Sequence, residues 1–152
     1  MMKEETMTDR FETFTTLINK IKINITRLKS EEMNEFSLKS SHVNCIYYLR
    51  RHGTLTAAEL CELCYEDKAA ISRSLSHLKK CGLIAYSESE GNKKYNTLIH
   101  LTESGREVSD KLSARIASVL KDSSAGLDDE SRRIMYESLE TISKNLEKIN
   151  IN

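Results

Sequence analysis

The chain has 152 residues, 39% of them hydrophobic, which suits one domain with a real core and would cramp two. Lys plus Arg and Asp plus Glu number 23 each, so bulk charge announces no nucleic-acid partner, and any basic footprint must be local. No apolar run approaches the roughly 20 residues of a membrane span, and the opening "MMKEETMTDRFETF" is acidic and polar, so a cytoplasmic protein is expected.

Proline is absent and glycine occurs five times, which points to helices punctuated by a few chosen turns. Phe11, Phe14, Leu17, Ile18, Ile21, Ile25 and Leu28 recur at three- and four-residue steps and predict a long amphipathic helix over about 9–29. "SSHVNCIYYLRRHG" reads as a helix stopped by Gly53, with Arg50, Arg51 and His52 in its last turn, where positive charge suits the C-terminus. In "LTAAELCEL", Thr56 and Glu59 form a capping box, while Leu55 and Leu60 occupy the flanking staple positions.

A polar helix follows in "DKAAISRSLSHLKKCG", with Asp67 as N-cap and Gly82 as the stop. Ile71, Leu75 and Leu78 share one face, while Ala69, Ser72, Arg73, Ser76, His77 and Lys80 spread around the other. After Gly82 the period falls to two in "LIAYSE" and "YNTLIHL", and Gly91-Asn92 between them predicts a hairpin with a lysine-bearing tip. Two further striped helices close the chain. One carries Val108, Leu112, Ile116, Val119 and Leu120; the other carries Ile134, Met135, Leu139, Ile142, Leu146 and Ile149, with Asp128-Asp129 as acid at its start.

A capped helix, a tight turn, a polar helix and a β-hairpin, in that order, make a winged helix-turn-helix, whose second helix enters the major groove. The expected architecture is mainly α: a winged helix-turn-helix lobe over 38–101 with a small β-hairpin wing, and long dimerisation helices over 9–29 and 102–150, all in a single chain fold over 1–152. Arg73 can bond a guanine edge bidentately, Ser72 and Ser76 can reach bases or phosphates, and Ala69 or Ala70 can touch a thymine methyl. Lys68, Lys80, Lys93 and Lys94 suit phosphates, and Thr56 and His77 complete the candidate double-stranded DNA interface. Lys68, Arg73, Lys79, Lys80, Lys93 and Lys94 face only Glu88 and Glu90 over 68–94, whereas the charges of 55–67 are all acidic. The neutral total conceals a local basic patch.

In "LTAAELCELCYEDKAAISRSLSHLKKCGLI" and "SEGNKKYNTLIHLTESG" the chain resembles the MarR family of transcription regulators. The resemblance implies a homodimer joined by its terminal helices on a pseudo-palindromic operator, usually a repressor released by a small-molecule effector or an oxidant. Two departures stand out. Asn92, Lys93 and Lys94 replace the family's common Asp-x-Arg in the wing, and Tyr86 stands where an arginine often follows "GLI". Lysine lacks arginine's planar fork, so the wing's contact should be more electrostatic and the helix should carry most specificity.

The four cysteines, too few for a secreted disulfide scaffold, are expected to be reduced. Cys61-x-x-Cys64 has no second ligand pair to complete a zinc site, so both are read as buried structural thiols before redox sensors, and no metal is expected. Cys81, at the end of the polar helix, is the expected exposed thiol, although a helix C-terminus raises a thiol's pKa. His42 and Cys45, one turn apart, are candidates to face an effector cleft, against the alternative that they are ordinary packing residues. No Gly-rich phosphate loop, GxSxG or HExxH is present, so no enzyme and no cofactor is expected. The alternatives to an effector-released repressor are a thiol-based redox-sensing regulator and a winged-helix adaptor that binds protein and not DNA.

Overall fold

The computed structural model describes residues 6–87 and 97–149. The chain divides into two compact units, 1–115 and 116–152. The first unit opens with α1 (Met7–Glu32), whose N-terminus is closed by a capping box between Thr6 and Asp9. A 3-10 turn (Asn34–Phe36) leads to α2 (Ser40–His52), which ends at Gly53 with φ 83°. Then come β1 (Thr54–Leu55), α3 (Ala57–Cys64), α4 (Lys68–Lys80), β2 (Ile84–Tyr86), β3 (Ile99–Leu101) and the first half of α5 (Glu103–Ser123). The second unit holds the end of α5 and α6 (Asp129–Glu147), which Asp128 caps by accepting the Ser131 N–H at 2.7 Å. Both helices of the turn, the stop at Gly53 and the three striped helices therefore stand where the sequence places them.

The sheet runs β1-β3-β2, with β3 antiparallel to both neighbours. β2 and β3 are the expected hairpin; β1, pairing Thr54 with His100 and Leu55 with Ile99, is a strand that sequence reasoning missed. Two residues are too short to show a period, and their partners lie more than forty residues away. The Tyr95 end of the expected second strand and the hairpin tip lie outside the described residues.

The core gathers beneath this sheet, where Met33, Ile46, Leu49, Leu60, Leu78 and Ile99 are fully buried. The staple residues Leu55 and Leu60 are both buried, as a capped α3 requires. The start of α5 is locked onto the wing. Thr102 donates its N–H to the Leu83 carbonyl at 3.0 Å and its hydroxyl to the Gly82 carbonyl at 2.6 Å, and accepts the Gly105 N–H. Arg115, farther along α5, bonds the Glu32 carbonyl at 2.7 Å and the Glu35 carboxylate at 2.8 Å, fixing the end of α1.

The stripes of α1 and α6 are a different matter, for neither helix has a buried residue. Phe11 is 61% and Ile21 54% exposed on α1, and Ile134 is 49% and Leu146 55% exposed on α6. Each stripe lacks the cover that its amphipathic pattern implies.

Candidate nucleic-acid interface

α4 is seated at both ends by local chemistry. The Asp67 carboxylate accepts the Ala70 N–H at 2.7 Å, the expected N-cap. At the far end Leu83 N–H bonds the Leu78 carbonyl and Gly82 N–H bonds the Lys79 carbonyl, while Gly82 takes φ 73°. That paired reverse bonding is a Schellman motif, and the buried Leu78 and Leu83 supply its apolar contact. Ile71, Leu75 and Leu78 pack inward as expected, joined by Ser74, which sequence reasoning passed over. Its place on the same helical face as Leu78, one turn away, is the signal that could have found it.

Ala69, Ser72, Arg73, Ser76, Lys68 and Lys80 are exposed, and Ala70 is half-buried. The short outer side chains leave the middle of the helix with little more than Arg73 projecting from its backbone. Thr56 is half-buried, its hydroxyl held in the capping box by donating to Glu59 Oε2 at 3.0 Å and accepting the Glu59 N–H at 3.2 Å. The turn between α3 and α4 passes through Tyr65, which is 89% exposed and has φ 53°, a backbone region that usually takes glycine or asparagine. Lys79 leans over the Tyr86 ring, with Nζ 4.9 Å from its centre, so the residue replacing the family's arginine holds a cation in place. Lys93 and Lys94 lie outside the described residues.

His77 departs from expectation. Instead of spreading outward with the serines it is half-buried, its Nε2 2.8 Å from the Ser37 carbonyl and its ring stacked on His42 at 4.3 Å, 8° from parallel. A carbonyl only accepts, so Nε2 carries the proton. Ser37 lies forty residues upstream in a left-handed turn, a partner that no helical wheel reveals.

His42 and Cys45 have the enclosure of packing residues, the alternative weighed against an effector cleft. Cys45 is wholly buried and His42 only 8% exposed, so neither lines an open cleft. The neighbouring Cys64 and then burial push the Cys45 pKa up. Cys61 and Cys64 are half-buried, less enclosed than expected of structural thiols, whereas Cys81 is exposed as expected, its Sγ 3.5 Å from His77 Nε2. Among the described residues no three His, Cys, Asp or Glu side chains gather as a metal site, and no helix is long and apolar enough to cross a membrane.

A helix-turn-helix backed by a three-stranded wing defines the class: a winged helix-turn-helix protein. Residues 36–94 match the family model described as the MarR family. Solved structures agree over nearly the whole chain. A MarR transcriptional regulator from Methanosarcina mazei superposes with a TM-score of 0.81 at 19% identity, covering 91% of this chain and 99% of that one. A mutant MarR from E. coli, complexed with operator DNA, gives 0.77 at 17% identity over 90% and 98%. BpsR of Bordetella bronchiseptica, whose DNA binding is described as regulated by 6-hydroxynicotinic acid, gives 0.73 at 17% identity over 85% and 91%. No curated protein sequence matches the chain. Residues 36–94 are thus similar to the MarR family, and the winged-helix fold is the one seen in these solved structures.

Proposed function

We propose that the chain is a cytoplasmic, sequence-specific DNA-binding transcription regulator, acting as a homodimer on a two-fold operator and repressing until a small molecule releases it. The observation that carries this reading is α4: a helix fixed at both ends, apolar inward and short-polar outward, with Arg73 projecting from the middle of its free face. Such a surface can enter a major groove, where Arg73 would meet a guanine edge and Ser72 and Ser76 a base or phosphate. Ala69 and Ala70 allow close approach, while Lys68, Lys80, Lys93 and Lys94 suit the backbone, and the Thr56 hydroxyl does so once it turns its proton from Glu59 to a phosphate. The uncovered stripes of α1 and α6 favour a second copy, and two copies would set two α4 helices about one DNA turn apart, ~34 Å. Operator DNA in the E. coli complex and regulation by a small aromatic acid in the Bordetella protein support the same assignment for this chain.

The test is binding to duplexes from the gene's own upstream region, measured by fluorescence anisotropy over a series of salt concentrations with competitor DNA. A steep salt dependence with retained preference for one duplex is expected. Equal, weak binding to every duplex would sink the reading and leave the adaptor alternative.

A further inference from the structure

The stacked pair His42 and His77 joins the first turn of α2 to the last turn of α4, and its hydrogen bonds fix where each proton sits. His42 Nδ1 accepts the Lys39 backbone N–H at 3.0 Å, so neutral His42 carries its proton on Nε2. His77 holds its own on Nε2, facing the Ser37 carbonyl. A second proton on His42 has only Nδ1 to occupy, which would set N–H against N–H and break the bond that caps α2. His77 can take a second proton at Nδ1 and keep its bond to Ser37. His42 is therefore the member of the pair whose charging is incompatible with the folded arrangement.

We propose that His42 is a proton-operated release for the recognition helix: protonation expels its ring from the stack, uncaps α2 and loosens the seat of α4, so that acid weakens operator binding. The proposal rests on the DNA-binding reading above for its consequence but not for its chemistry. Burial, then His77 from α4, then Lys39 ahead of α2 all disfavour a positive charge on His42, holding its pKa below the ordinary 6.5. These are the titratable groups acting on the ring; Cys81, on α4, reaches only His77. The sign follows. Below about pH 6.5, the unfolded chain takes up a proton that folded His42 refuses, so stability is full above that pH and falls as the pH drops toward the lower folded value.

His42→Gln separates this device from any general effect of acid. Glutamine at the third position of a helix can accept the N-cap N–H, as in a capping box, and does not titrate. Operator affinity of the wild-type protein should fall at least ~5-fold from about pH 7.5 to about pH 5.5, and that of His42→Gln should change by less than ~2-fold. An imidazole NMR titration should place His42 below the ordinary histidine value and show its stacked signals shifting with the same midpoint. An equal acid response in both proteins, or a His42 midpoint at or above the ordinary value, would overturn the proposal. If no duplex is bound at any pH, the NMR midpoint and the acid dependence of the melting temperature still decide the proton device, and only the DNA-binding reading fails.

Discussion

Gly105 in α5 lies against the backbone carbonyl of Leu83, so close that a methyl group at Gly105 would overlap the Leu83 oxygen. The glycine lets α5 start beside the wing, with Thr102 bonded to both Gly82 and Leu83. Gly105→Ala should cost about 1–3 kcal/mol of unfolding free energy, because backbone and not a flexible side chain must give way. Exposed Ser104→Ala should stay within about 0.5 kcal/mol. Denaturant unfolding of the two variants checks both, and equal stability would mean that the contact relaxes freely.

Asp67 holds the first turn of α4 through the Ala70 N–H. Asp67→Ala should lose about 1 kcal/mol of stability, while Asp67→Asn, which keeps an accepting oxygen and drops the charge, should lose much less. A thermal melt distinguishes the cap from the charge: comparable losses in both variants would assign the effect to charge.

Arg73 is exposed at the middle of α4. On the proposed reading, Arg73→Ala should weaken the preferred duplex by about 1–3 kcal/mol and relax its preference at one base pair. Lys80→Ala should weaken all duplexes alike and lessen the salt slope by about one. A uniform loss across sequences for Arg73→Ala would reassign it to a phosphate.

The thiols should react in the order that their surroundings set. Cys81 is exposed and Cys61 and Cys64 are half-buried, so a maleimide should label Cys81 first, these two next and the buried Cys45 last. Mass spectrometry of a labelling time course at neutral pH reads the order. Early labelling of Cys45 would contradict its enclosure.

The exposed stripes of α1 and α6 give the homodimer a direct test. Sizing with light scattering should return twice the chain mass, and Ile21→Asp on α1 should reduce it toward the single chain while leaving α4 folded. A folded wild-type monomer at micromolar concentration would remove the dimer from the proposed function.

Local chemistry was legible in the sequence and remote partners were not. The Thr56–Glu59 box, the Asp67 cap and the Gly82 stop each lie within a few residues of what they bond, so their residue types betray them. β1 is visible only through its pairing with β3, and His77 faces inward because of a carbonyl forty residues away and a ring on another helix. For Cys45 both a cleft and a packing role stayed open, because a helix pattern alone does not say which neighbours cover a residue; the fold buries it completely. The outer face of α4 was readable for the opposite reason: exposure of short polar side chains needs no partner.

The arrangement of charge along the helix-turn-helix bears on how such a protein would meet a polyanion. Glu59, Glu62, Glu66 and Asp67 crowd the first helix and the turn, while Lys68, Arg73, Lys79 and Lys80 belong to the second, within a chain of zero net charge. A neutral body with adjoining patches of opposite sign feels little long-range pull toward a duplex, but it does feel a torque. Its encounters would be no more frequent than those of an uncharged molecule, yet they would arrive already turned, with α4 leading and α3 held back.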